Sequence, residues 1–244
     1  MRVSIVIPAH NEANNIESFV TAFVDALPER LKSILLEIII VENGSIDSTL
    51  TVCKQLHEKY PTLVRVIPLG YPSYGEALKK GITSSKGTHL SVLECDLLDS
   101  AFVEGSVALF REGGTRFIVG SKRHPESEDR RPLTRRLLTQ VLNCFLRLGF
   151  GYPGSDTRGL KSIETRLARQ LCNLAVTDGE AVQTELVLIA WKLGVEIREV
   201  PILVSEERST TFSVTKRLGK SLEMLRQLRS SINGLEARVA SYKG

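Results

Sequence analysis

The sequence has no apolar run approaching the roughly 18 residues that a spanning helix needs, so a membrane-crossing chain is not expected. Met1-Arg2 leads directly into a strand-like run, and no signal peptide is expected. The four cysteines, Cys53, Cys95, Cys144 and Cys172, show no CxxC pair and no regular spacing, which leaves a reduced cytosolic protein as the simplest reading. Aromatic residues are 6% of the chain and no basic motif interleaves with stacking residues, which argues against a nucleic-acid binder. No GxGxxG follows the first strand, so a nicotinamide or flavin dinucleotide is not expected.

The make-up that remains, 42% hydrophobic and 25% charged, is that of an ordinary globular protein, and 244 residues suit one large α/β domain better than two small ones. Val3 to Ile7 is a β-branched run without polar alternation, which suits a strand buried on both faces. A helix follows with Ile16, Phe19, Val20, Phe23, Val24 and Leu27 at helical spacing. Strands are expected at Glu37 to Val41, Leu63 to Leu69, Leu90 to Leu93, Arg116 to Ser121 and Glu196 to Val204. Helices are expected at Asp47 or Ser48 through His57, Glu76 to Ser84, Ala101 to Phe110, Pro132 to Leu148, Glu164 to Leu174 and Glu180 to Leu193. The alternation of strand and helix argues for a parallel sheet of Rossmann type. Lys122 to Arg131 is polar enough to read as a loop. Phe212 to Ile232 has an apolar stripe, from Val214 to Ile232, and a basic opposite face, which suits either packing on the protein or a lipid interface.

The segment Thr88 to Asp99 carries the chemistry. Its apolar strand ends in Glu94 and Asp96, with Asp99 just beyond, and ligands of open α/β sheets bind at the carboxyl ends of strands. Two carboxylates one residue apart suit a hard divalent cation that also holds a diphosphate. The competing reading is a solvated, acidic strand end. The net charge of +4 is unevenly spread. Lys122, Arg123, Arg130, Arg131, Arg135 and Arg136 form one cluster, and Lys216, Arg217, Lys220, Arg226 and Arg229 another. Such clusters suit phosphates or an anionic surface, or are simply solvated faces.

Several segments, taken in order, resemble glycosyltransferase family 2, inverting GT-A enzymes that use nucleotide sugars. Val3 to Glu12 resembles the family's "VVIPAYNE", and Val41 to Thr49 resembles "VDDGSTDGT". Glu94-Cys95-Asp96 falls where the family has Asp-x-Asp. In the second half, Val119 to Arg123, Arg135-x-x-x-Thr139-x-x-x-Asn143, Asp156 to Lys161, Thr184-Glu185-Leu186 and Glu199 to Ile202 resemble the branch of dolichol-phosphate and polyprenyl-phosphate sugar synthases. The resemblance implies an α/β GT-A fold, Rossmann-like, with a mixed, mostly parallel sheet flanked by helices in a single domain over residues 1–204. Residues 205–244 would form a basic amphipathic helical segment packed on that domain or on a membrane surface.

By the same resemblance, Pro8, His10, Glu12, Glu42, Asn43, Asp47, Lys79 and Cys95 would bind the nucleotide sugar, GDP-mannose or UDP-glucose. Glu94, Asp96 and Asp99 would hold Mg²⁺ or Mn²⁺. Arg123, Arg135 and Thr139 would hold the phosphate of a lipid acceptor, with Asp96, Arg123 and Arg135 catalytic. A membrane-anchoring subunit is a conceivable partner, and the protein would be cytoplasmic or peripheral on the cytoplasmic face of a membrane. Asn11 and Asp47 have a plainer reading as helix caps. Glu185, on an apolar helix, is expected to pair with a basic neighbour such as Lys161.

The chain departs from the pattern at Glu94 in place of aspartate, Leu98 in place of a polar ligand, Asn43 in place of an acid and Arg158 in place of serine or cysteine. These departures keep two alternatives open: a family member acting on a soluble sugar or protein hydroxyl, and a catalytically silent, nucleotide-binding regulatory relative.

Overall fold

The computed structural model describes residues 1–129, 133–204 and 214–243. β1 (Val3–Ala9) is buried along its whole length, as a run without alternation requires. α1 (Ile16–Asp25) and the short α2 (Glu29–Lys32) lead to β2 (Leu35–Glu42). α3 (Thr49–Lys59) leads to β3 (Val64–Pro68), and α4 (Tyr74–Ser84) to β4 (His89–Val92). α5 (Ser100–Glu112) precedes β5 (Phe117–Ser121). Next come β6 (Glu128–Asp129), α6 (Leu133–Phe150), β7 (Leu160–Glu164), α7 (Thr165–Leu174) and α8 (Ala181–Lys192). β8 (Ile197–Pro201), β9 (Leu203–Val204), α9 (Val214–Asn233) and α10 (Leu235–Lys243) complete the order.

Seven strands form one mixed sheet in the order β3-β2-β1-β4-β7-β5-β8. Only β7 runs against its neighbours, β4 and β5. β7 is an addition to the elements expected from sequence, because Lys161 and Ser162 interrupt its apolar pattern although both are buried. The expected last strand is also split. β8 stays in the main sheet, while β9 pairs with β6 in a separate two-stranded sheet, so part of the polar loop after β5 is a strand.

Alternate residues of each central strand serve opposite layers. Ile5, Ile7, Ile38 and Ile40 pack with Phe23, Cys53 and Phe102 of α1, α3 and α5. Val6, Ile39 and Val41 pack with Leu78, Leu167 and Leu186 of α4, α7 and α8. α8 is buried from Ala181 through Ala190, and α9 lies against it with Met224 and Leu228 in the core. The described apolar residues of the C-terminal segment therefore face protein.

β1, β2 and β4 are mutually parallel, and β5 shares their direction because both β4 and β5 oppose β7. The loops after these four strands, and the loop entering β7, thus meet at one edge of the sheet.

Candidate active site

At that edge, the loops after β1 and β2 are tied to one another. Asn11 takes the left-handed conformation, φ 55°, which asparagine tolerates better than most residues. Its Oδ1 accepts from the Ile46 backbone at 3.0 Å, and its own N–H donates to Ser45 Oγ at 3.0 Å. The Asn11 amide meets His10 Nε2, which leaves Nδ1–H of the ring to donate to the Asn43 carbonyl at 2.7 Å. Glu42, buried, accepts from Ser45 N at 2.6 Å, and Asn43 accepts from Ser73 N at 2.6 Å. Asp47 accepts from Thr49 N and Ala13 N, and the Thr49 hydroxyl holds its carboxyl below the usual carboxylate range. Glu12 is buried beside them, its N–H donating to Thr49 Oγ1 at 2.7 Å, and Pro8 pairs with Val41 inside the sheet. Six of the expected nucleotide-sugar residues, Pro8, His10, Glu12, Glu42, Asn43 and Asp47, are thus gathered in one corner.

Lys79 is directed elsewhere, since its ammonium donates to the carbonyls of Ala175 and Thr177, each at 3.0 Å. Cys95 is buried under the acidic turn.

That turn follows β4. The Glu94 carboxylate points inward and accepts from Tyr74 OH at 2.9 Å and Gln183 Nε2 at 2.6 Å. Gln183 Oε1 in turn accepts from the Lys161 ammonium at 2.9 Å, which also donates to the Gly159 carbonyl at 2.8 Å. Burial pushes Lys161 down to about 7, against the pull of Asp156 and Glu94, and burial together with Glu94 raises the Tyr74 hydroxyl. Asp99 caps α5, accepting from Phe102 N at 2.9 Å. Asp96 lies exposed on the turn. Among the described residues no three His, Cys, Asp or Glu side chains are grouped to hold a metal ion. The donor set fits an ion bound through one protein carboxylate and substrate oxygens, as Mg²⁺ is often bound, rather than a closed protein cage.

The loop entering β7 closes the site. Glu199 of β8 accepts from Ser155 N at 2.6 Å and Asp156 N at 3.4 Å, and Asp156 accepts from Lys122 N at 3.1 Å. A Cβ on Gly159 would lie 1.8 Å from the Gly120 carbonyl, so this loop touches the end of β5 at a distance only glycine permits. Arg123 follows β5, half-buried, its N–H donating to Ser121 Oγ at 3.1 Å. Thr139 is half-buried on α6, and the Arg135 side chain falls outside the described residues. Arg158, at the departing position, pairs with Glu180.

Glu185 does not pair with Lys161. It accepts from the backbone of Val176 and Thr177, each at 2.9 Å, and from the hydroxyls of Thr177 and Ser231. Its four donors come from the loop after α7 and from α9, which sequence proximity does not reveal. Tyr74 and Gln183 were likewise absent from the sequence expectations. Their signal is the polar trio Gln183-Thr184-Glu185 inside an otherwise apolar helix, since polar residues in such a place need partners.

Beside the turn, a groove of about 960 Å³ opens between α1 and α5. Asp96 and Asp99 stand on its rim, and Phe19, Phe23, Leu98, Phe102, Leu109 and Ile202 wall it.

Comparison with known proteins gives this arrangement its place. The profile described as Glycosyl transferase family 2 matches residues 4–163. Dolichyl-phosphate beta-glucosyltransferase of Dictyostelium discoideum is 26% identical over 92% of this chain and 73% of its own length. Glycosyltransferase AglD of Haloferax volcanii is 25% identical over 93% of this chain, which spans only 37% of AglD. Glucosyl-3-phosphoglycerate synthase of Mycobacterium tuberculosis, solved with UDP, superposes with a TM-score of 0.68 at 22% identity, covering 94% of this chain and 79% of that one. The same synthase has also been solved with Mn²⁺, UDP and phosphoglyceric acid. A family profile that runs from β1 to β7, on a sheet of GT-A order, makes this chain a glycosyltransferase belonging to family 2.

Proposed function

We propose that the chain transfers a hexose from a nucleoside-diphosphate sugar to a polyprenyl or dolichyl phosphate. The observation that carries the acceptor class is the apolar groove opening beside Asp96, whose walls suit a polyprenyl chain. The relatives named dolichyl-phosphate beta-glucosyltransferase support the same reading and make UDP-glucose the first donor to test, ahead of GDP-mannose.

In this reading the corner built from Pro8, His10, Glu12, Glu42, Asn43 and Asp47 takes base and ribose. Residues 1–204 form the transferase body, and α9 and α10 pack on it. Asp96 would hold Mg²⁺ or Mn²⁺, and the ion would supply charge neutralisation for the leaving group. Glu94, engaged by Tyr74 and Gln183, sets the shape of the turn that presents Asp96. Arg123, Arg135 and Thr139 take the acceptor phosphate, for which guanidinium groups are suited by their forked donors.

A phosphate monoester has its second pKa near 6, so its oxygen is already anionic at neutral pH and no general base is required. That oxygen forms the new bond to the anomeric carbon while the bond to the diphosphate oxygen breaks, its electron pair leaving with the nucleoside diphosphate. Inversion at that carbon follows from a single displacement. The protein's contribution is to hold two mutually repelling phosphates in line and to keep water out.

The test is incubation of purified protein with UDP-glucose, GDP-mannose and a short-chain polyprenyl phosphate, with and without Mn²⁺ or Mg²⁺. A metal-dependent glycolipid, lost in Asp96→Ala, is expected. Nucleotide-sugar binding without transfer to the lipid would hand the site to a soluble acceptor or to a silent regulatory member of the family.

A further inference from the structure

Outside the site, one helix breaks the usual distribution of apolar surface. Among the described residues, ten large hydrophobic side chains are exposed, and five of them, Leu133, Leu137, Val141, Phe145 and Leu148, lie on α6. Spacings of four, four, four and three place them on one side of the helix. Leu133 and Leu148 are 77% and 80% exposed. The opposite side of α6 is already used, with Leu142 and Leu146 buried in the core. The helix therefore has two apolar faces and packs only one of them on the described fold. Single exposed apolar residues are ordinary, whereas a continuous stripe marks a docking surface.

Charge identifies what docks. Apart from Arg135, α6 carries Arg136 and Arg147, and it has no Asp or Glu. Next to the stripe, a groove of about 490 Å³ separates α6 from α9. Phe145, Phe150, Leu225 and Ile232 line it, and Lys192 and Arg229 stand at its sides. Apolar side chains flanked by cations, with no acid among them on the helix, match the interface of an anionic bilayer, where apolar groups enter the acyl boundary and cations meet headgroups. No helix among the described residues is long and apolar enough to cross a membrane, so the contact lies in the plane of the surface.

We propose that the outer face of α6 docks this protein on an anionic membrane surface. The expectation from sequence put that role on the C-terminal segment, but there Met224, Leu225, Leu228 and Ile232 pack against the core, and among the described residues α6 is the helix left with an apolar face outward. The inference deepens the lipid-acceptor reading while standing on α6 alone.

Cys144 supplies the test. It is exposed on α6 beside Phe145, while Cys53, Cys95 and Cys172 are buried, so a thiol-reactive, polarity-sensitive fluorophore reports on this face. The labelled full chain is mixed with vesicles of phosphatidylcholine, with or without phosphatidylglycerol and free of any prenyl phosphate. Sedimentation with the anionic vesicles, weakened by added salt and accompanied by a blue shift at Cys144, is the expected result. Leu137→Ser and Phe145→Ser should each weaken binding roughly tenfold with unchanged circular dichroism, and Phe145→Leu should retain it.

Absence of sedimentation overturns the proposal. So does binding without a shift at Cys144 or indifferent to Leu137→Ser, which would assign the contact to another surface. Self-association abolished by Leu137→Ser, without vesicle binding, would give the face to a second copy and equally overturn it. Because the vesicles lack acceptor, docking can fail while transfer in detergent persists, and the reverse, so the two readings fall separately.

Discussion

The loops after β1 and β2 are held by their own neighbours, whereas the loops around β7 and after α7 are held by carboxylates from distant elements. In the first region Asn11, Glu42 and Asp47 bond to residues in the same pair of loops. In the second, Glu199 of β8 gathers Ser155 and Asp156, and Glu185 of α8 gathers Val176, Thr177 and Ser231. The difference is one of redundancy. Several short local bonds share the work on the donor side, while on the far side a carboxylate from a distant element gathers several donors at once. Losing one anchor should thus be tolerated in the first region and costly in the second.

Between the two regions stands the acidic turn, and Asp96→Ala tests it with the largest effect. Transfer should fall about a thousandfold, because several kcal/mol of charge neutralisation would be lost. Glu94→Gln should keep metal dependence, because Glu94 is bonded to Tyr74 and Gln183; weaker Mn²⁺ binding in that variant, read by titration, would return Glu94 to the ion.

Glu185→Ala comes next. It strands the donors of Val176, Thr177 and Ser231, the last two buried, and should cost about 3 kcal/mol of stability, measured by denaturant unfolding. Asn43→Ala, its counterpart on the donor side, removes one bond to Ser73 N and should cost only about 1 kcal/mol. Equal losses in the two variants would erase the distinction between the regions.

The last test reads a slope. Lys161 titrates at about 7 in the folded chain against an ordinary value of 10.5, so the unfolded chain binds more protons between those limits. Stability should therefore rise with pH above 7 and gain nothing more from this group above about 10.5, with the penalty of burying the cation fully present below 7. Lys161→Met should flatten that rise in unfolding curves taken from pH 7 to 9.

Much of the donor side was legible in the residues. A buried parallel strand announces itself by unbroken apolar runs, as in Val3 to Ile7, and the polar residues that close each strand fall at one edge by topology alone. What the residues did not disclose was long-range. β7 was hidden because its buried Lys161 and Ser162 make sense only beside Gln183 and Ser91. Glu94 and Asp96 look equivalent along the chain, and only the position of Gln183 and Tyr74 turns one inward. The C-terminal segment and α6 have similar amphipathic patterns, and the packing of α9 on α8 decides which of them keeps an apolar face outward.

That packing has a consequence for synthesis. α8 is buried from Ala181 to Ala190, and its cover includes α9, which leaves the ribosome later. With chains growing at about 5–20 residues per second, a nascent chain that has already emerged through β8 must hold a largely apolar, incompletely covered helix for seconds. Chaperone occupancy on arrested chains should accordingly peak before α9 emerges and fall once Ser231 can reach Glu185.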